Sequence, residues 1–257
     1  MLKAYLKTAR PLVAVVVVGA LVFTPMLTSA VGEVGLPAGG YTENFDTLAN
    51  TGTSSTLPAG WALLETGNNF NTTYSAGDGS SNAGETYSFG TVGSPDRAFG
   101  TLRSNNLAST IGVGFTNNTG ITAQQATVMY ACEQWRLGTT GAADRLDFQY
   151  STNATSISTG TWIDVNLLDC ISPNTMGSVG SRDGNLPINR AMRTNTFSLG
   201  TPVAPGATLW LRWLDFSASG LDDGLGVDDF SIQLLTPTGD APEDLAAYRV
   251  LLPFVRR

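Results

Sequence analysis

Chemistry in this chain falls to carboxylates, amides, hydroxyls and indoles, because the sequence holds no histidine. A Ser-His-Asp or Cys-His nucleophile needs an imidazole base, and a zinc site leans on imidazole or on several thiolates, of which Cys132 and Cys170 supply only two. What remains is chemistry of the glycosidase kind, in which two acids flank the scissile bond and one is held protonated by its surroundings. Glu133 and Asp147, both in strand-like runs, are the best available pair. The plainer reading pairs Glu133 with an arginine such as Arg136 or Arg212 and leaves Asp147 facing solvent. The sequence therefore points to a non-catalytic binding or surface-adhesion module. The alternatives are a carboxylate-dependent glycoside hydrolase and a purely structural cell-envelope protein.

Five tryptophans offer a second kind of chemistry, since flat rings stack on pyranose faces. Trp213 shares strand parity with Leu209 and Leu211 and belongs to a core, whereas Trp210 shares parity with Arg212, Leu214 and Phe216 on the opposite face. Spacing does not assign Trp135 or Trp162 to a face. Trp210, Arg212 and Trp135 are the candidate ligand-binding residues, with an extracellular polysaccharide or cell-surface component as the partner. The competing reading at each tryptophan is burial, because large aromatic side chains dominate cores.

A third feature is the pair Asp228-Asp229. Apolar parity in this segment switches from odd positions, Leu225 and Val227, to even ones, Phe230, Ile232 and Leu234. Such a switch predicts a bulge at the two acids, which re-aims side chains and frees carbonyl groups from the ladder. Calcium takes oxygens of these kinds. The alternative is an arginine partner or a turn cap for one of the acids.

The elements that must position these residues are strands. Leu146, Phe148 and Tyr150 alternate with Asp147, Gln149 and Ser151, and similar runs occur at Trp61–Glu65, Thr86–Gly90, Ala98–Arg103, Ile111–Thr116, Ala126–Arg136, Trp162–Leu168, Thr194–Leu199, Thr208–Phe216 and Leu225–Leu235. Stretches rich in turn residues separate them, including 67–84, 117–120, 152–160 and 174–185. About ten strands without intervening helices predict an all-β domain of two packed antiparallel sheets.

Residues 1–30 read as a secretory signal peptide: Lys3, Lys7 and Arg10 precede the apolar run Leu12–Phe23, and Thr28-Ser29-Ala30 supplies small residues for cleavage. The apolar run is short of the roughly 20 residues that span a bilayer, so no membrane span is expected after cleavage. The rest divides into a linker at 31–40, a sandwich domain at 41–236, and a linker with a short tail at 237–257. Without the export segment the chain keeps 11 arginines, no lysine and 21 acids, a formal charge of −10. Losing both lysines also removes Schiff-base and P-loop chemistry. That charge repels phosphate backbones and argues against nucleic acid as a ligand. In an oxidising compartment Cys132 and Cys170 are expected to form a disulfide.

The order of short motifs from Tyr41 to Leu235 resembles a family of secreted bacterial β-sandwich domains, found alone or as accessory modules beside extracellular nuclease or phosphatase domains. The likeness rests on Glu43-Asn44-Phe45-Asp46, Leu57-Pro58-Ala59-Gly60-Trp61, Tyr87-Ser88-Phe89-Gly90, Arg97-Ala98-Phe99-Gly100, Glu133-Gln134-Trp135-Arg136, Leu146-Asp147-Phe148-Gln149-Tyr150-Ser151, Thr161-Trp162, Trp210-Leu211-Arg212-Trp213, and Asp222-Asp223-Gly224 leading to Val227-Asp228-Asp229-Phe230. Its first and last strands are also similar to those of jelly-roll carbohydrate-binding modules, in which acids from the two chain ends meet around a structural calcium ion. The resemblance implies a jelly-roll sandwich and a calcium site of Glu43, Asp46, Asp228 and Asp229. Asp222 and Asp223 form a second candidate loop or an extension of the first. The ending Leu251-Leu252-Pro253-Phe254-Val255-Arg256-Arg257 resembles the short tails of some secreted bacterial proteins, which implies sorting or surface retention; the alternative is a terminus that packs on the sandwich.

Overall fold

Period-two alternation dictates a structure of strands, and the computed structural model, which describes residues 32–236, is all-β. The expected signal peptide and the tail at 237–257 lie outside the described residues. In chain order the strands are β1 (Val34–Pro37), β2 (Tyr41–Glu43), β3 (Thr53–Ser54), β4 (Trp61–Gly67), β5 (Tyr74–Gly77), β6 (Glu85–Phe89), β7 (Ala98–Leu102) and β8 (Leu107–Asn118). They continue as β9 (Ala123–Leu137), β10 (Arg145–Ser151), β11 (Ile163–Asp164), β12 (Cys170–Ile171), β13 (Gly180–Ser181), β14 (Arg190–Val203), β15 (Thr208–Asp215) and β16 (Gly224–Leu235).

One sheet has seven strands, ordered β1-β8-β15-β10-β11, with β4 also on β8 and β12 also on β10. The other has nine, ordered β13-β9-β16-β7-β6-β5-β3, with β14 also on β9 and β2 also on β16. The expected sandwich is present, with two corrections. The sheets are mixed rather than purely antiparallel, because β1 runs parallel to β8 and β5 parallel to β6. Residues 31–40, expected as a linker, contribute β1, whose Leu36 is buried in the core. A single apolar residue between glycine and proline gives no alternation to read, yet it suffices to add an edge strand. The run Trp162–Leu168 shortens to β11 followed by a 3-10 turn at Asn166–Leu168, since Val165 and Leu168 both turn inward.

The two sheets meet through aromatic rings. Trp61 of β4 and Trp213 of β15 stack 5.8 Å apart at 16°. Phe230 of β16, from the opposite sheet, presents its edge to both, at 5.4 Å and 5.8 Å. Phe45 packs edge-on against Trp61 at 4.6 Å, so the chain segment after β2 is drawn over the same cluster. Edge-to-face and offset arrangements of this kind add about 0.5–1.5 kcal/mol per pair beyond area burial.

The expected disulfide joins Cys132 and Cys170, with Cα atoms 5.2 Å apart. Cys132 lies on β9 of the nine-stranded sheet and Cys170 on β12 of the seven-stranded one, so the bridge ties sheet to sheet through the core. Its loop spans 38 residues, for which the chain-entropy model gives about 3–4 kcal/mol. Replacing both cysteines by alanine is expected to lower the unfolding free energy by about that amount, read as a reduced urea midpoint with a somewhat larger m-value, because the unlinked denatured chain exposes more surface.

Candidate functional site

Two faces of the sandwich carry the residues that sequence reasoning nominated. On the outer face of the seven-stranded sheet, Gln149 pairs across the ladder with Arg212 and with Asp164. The Arg212 Nε donates to Gln149 Oε1 at 2.8 Å, and Gln149 Nε2 donates to Asp164 Oδ1 at 2.6 Å. The Arg212 guanidinium lies 3.9 Å from the centroid of the Trp162 ring. It also donates through Nη1 to the carbonyl of Ile157, and burial lowers its pKa to about 10. Trp162, half-buried, donates its indole N–H to the carbonyl of Thr159. Together these groups form a row of one aromatic ring, one cation, one amide and one carboxylate along a sheet face.

The nominated tryptophans do not offer sugar platforms, which corrects that expectation. Trp210 is on the outer face, as parity predicts, but it is buried with Ala62, Ala154 and Ile157 beneath the segment after β10. Trp135 is likewise buried: its ring stacks on Phe89 at 6.1 Å and its indole N–H donates to Glu133 at 3.0 Å. A Cβ at Gly184 would lie 2.4 Å from the Trp135 Nε1, so the 183–185 turn closes over that ring only because position 184 is glycine. Arg212 keeps its place in the candidate site, and Trp162, which spacing left unassigned, supplies the aromatic group there.

The acids at the other end behave differently. The ladder between β16 and β9 shifts register between Asp228 and Ser231, so the bulge read from the parity switch is present. Asp229 adopts φ of 48° there, and Phe45, near Glu43, adopts 57°. Glu43 sits opposite Phe230 on β2, and accepts from the Phe45 N–H and the Tyr41 hydroxyl. Asp46 is exposed and bonded to Asn44. Asp228 is buried and accepts from the Asp229 N–H at 2.7 Å.

The cation of this cluster is Arg190. It donates to Glu133 at 3.0 Å and to Asp229, and it lies 3.9 Å from Asp228. These carboxylates are of the kind that calcium takes, but among the described residues no three acidic or cysteine side chains converge as a metal would require. Glu43, Asp228 and Asp229 thus lie around the bulge midway along β16 without being closed into a site, while Asp46 is turned to Asn44. In the second candidate loop, Asp223 accepts from Gln134 at 2.7 Å, Ser172 at 2.6 Å and the Gly138 N–H, while Asp222 accepts from the Ala218 N–H. Asp223 therefore pins three chain segments together.

Glu133 and Asp147 do not form a pair. They lie on different sheets, and each has an arginine of its own, Arg190 and Arg145 respectively. Arg190, not Arg136 or Arg212, is the partner of Glu133, because β14 aligns the two residues directly across the ladder. Sequence reasoning missed Gln149, Asp164 and Trp162, whose grouping depends on which strands neighbour β10.

No family model matches this sequence, and none of the curated proteins matches it. Among solved structures, the K2 cleaved adhesin domain of Lys-gingipain is similar over 77% of this chain and 98% of that chain, at 14% identity and a TM-score of 0.37. A family 61 carbohydrate-binding module in complex with β-1,4-galactotriose is similar over 68% of this chain and 88% of that chain, at 12% identity and 0.31. A family 35 carbohydrate-binding module from Clostridium thermocellum gives 58% and 85%, at 12% identity and 0.28. Likeness of this degree does not say what this chain binds.

Burial raises the carboxyl of Glu133 to about 7 against an ordinary 4.5, an effect that outweighs the opposing pull of Trp135 and Arg190. The folded state then holds this proton to higher pH than the unfolded chain does. Its contribution is fully present below the unfolded pKa and is lost as pH rises through the folded one. Substituting Glu133→Gln is expected to shrink the fall in thermal midpoint between about pH 5 and about pH 8, measured by calorimetry in calcium-free buffer.

Proposed function

We propose that this chain is an exported, non-catalytic β-sandwich module that binds glycan on the outer face of its seven-stranded sheet. The observation that carries this reading is the row of Trp162, Arg212, Gln149 and Asp164, tied together by hydrogen bonds and a cation–π contact. Sugar hydroxyls need donors and acceptors held in fixed directions beside an apolar surface, and this row supplies all three. Holding the amide of Gln149 between Arg212 and Asp164 fixes which end donates and which accepts. Export accords with the inter-sheet disulfide, a bond that persists in oxidising compartments.

Expected behaviour is binding to one or more polysaccharides on a glycan array, with affinity reduced at least about tenfold by Trp162→Ala, a loss of about 1.4 kcal/mol. The thermal midpoint should be little changed, because Trp162 is half-buried at the edge of a loop. A wild type that binds no glycan, or a Trp162→Ala variant that binds as the wild type does, rejects the reading.

The same reading includes a structural calcium ion at the bulge of β16. Its support is the buried Asp228 carboxylate, which burial and the neighbouring Glu133 raise to about 8, next to Asp229 at positive φ. Such groups gain most from a cation supplied from solution. For an ion to bind, Glu43 would have to close on Asp228 and Asp229, and the Arg190 contact with Asp229 would have to yield. Millimolar calcium is expected to raise the thermal midpoint of the wild type and leave that of Asp228→Asn unmoved. A wild-type midpoint indifferent to both calcium and EDTA removes the ion.

A further inference from the structure

Arg97 precedes β7, and its side chain is almost wholly buried, with the residue 2% exposed. Its Nε donates to the Ser88 hydroxyl at 2.9 Å, and its Nη2 donates to the carbonyls of Ser88 and Gly77. No ion pair within 4.0 Å joins it to any acid among the described residues. A buried cation without a counter-ion is costly. The remaining nitrogen, Nη1, has no hydrogen-bond partner among the described residues, and it is not sealed from solvent.

Arg97 borders a cleft of about 430 Å³ beside β5 and β6, which Ser75, Asp78, Ser80, Ser81 and Glu85 also line. A Cβ at Gly90 would come within 2.3 Å of Nη1, so glycine at that position leaves this edge of the guanidinium open. The rest of the lining is hydroxyl-rich and carries acceptor oxygens. Asp78 accepts from the Ser80 N–H at 3.0 Å, and the Ser80 side chain first, then that N–H, with a smaller pull from Arg97, keep its carboxyl below the usual range. Glu85 is raised to about 7 by burial and by the Glu65 carboxyl beside it, so near neutrality it carries part of a charge.

One buried guanidinium edge beside hydroxyls and one full carboxylate suits a ligand with a single negative charge and several hydroxyls. A phosphate monoester would meet the same cation but set more negative charge against Asp78 and Glu85. We propose that this cleft binds the carboxylate of an acidic sugar through Arg97 Nη1, with Asp78 and the serine hydroxyls on the sugar's own hydroxyls. The ligand class rests on the glycan reading above, while the location is separate from the Trp162 row.

The test is calorimetric titration of wild type, Arg97→Lys and Trp162→Ala with glucuronic and galacturonic oligosaccharides and with their neutral counterparts. The wild type is expected to bind an acidic oligosaccharide at least tenfold more tightly than its neutral counterpart. Arg97→Lys should lose that preference, while Trp162→Ala keeps it. Amide NMR of the wild type, which serves even where Arg97→Lys fails to fold, should show shifts centred on Ser75, Asp78, Ser88 and Gly90. Equal binding of acidic and neutral sugars, acidic binding lost with Trp162→Ala and kept with Arg97→Lys, or NMR shifts confined to the Trp162 row overturns the proposal and leaves the sheet-face reading standing. No binding of any glycan ends both.

Discussion

Phe230 is the ring on which the two sheets agree. It reaches from β16 to present its edge to both members of the Trp61–Trp213 stack, and it also lies parallel to Phe115 at 6.4 Å. For Phe230 to point inward after Val227 has done so, the strand must absorb one extra residue, and that residue lies between Asp228 and Ser231. The bulge is therefore a condition of the aromatic core. It also lets one strand serve two neighbours: Leu225–Val227 pairs with β7, and Phe230–Ile232 pairs with β2. Asp229 takes a positive φ in consequence, and Arg190 holds its side chain in place.

Charge is distributed under the same constraint. The chain has few cations, and three of them are committed to holding the fold. Arg190 answers Glu133 and Asp229, Arg145 answers Asp147, and Arg212 is shared between an indole, an amide and a carbonyl. Among the described residues, several buried acids have no arginine within 4.0 Å. Asp144 is raised to about 7, and Asp215, buried with Oδ1 unpartnered, is held far above its ordinary value, in both cases chiefly by burial. Burial thus favours the neutral form of both carboxyls, which lessens the charge that this acidic chain sets inside its fold.

Much of this was legible from alternation alone. The long strands, the core parity of Trp213, the outer parity of Trp210 and the bulge at Asp228-Asp229 all follow from which side chains are apolar at every second position. What alternation cannot carry is coverage. Trp210 and Trp135 both sit on outer faces, and both are roofed by irregular segments whose paths are set by single contacts, such as the close approach of Gly184 to an indole. Short strands were hidden for a related reason: β1 and β5 have four residues each, one of them fully inward, too few to show a period.

The roofing segments also explain why the candidate site lies where it does. Trp210 fills the space beneath the segment after β10, and the Arg212 Nη1 fastens that segment through the carbonyl of Ile157. The same segment ends by delivering Trp162 back to the sheet, where its indole N–H bonds to the Thr159 carbonyl and its ring meets the guanidinium. One arginine thus secures the loop and supports the half-buried aromatic ring at its end. The buried tryptophan acts as the foundation and the half-buried one as the working surface. A sequence shows two indoles on comparable footing; only the path of the intervening chain decides which of them meets solvent.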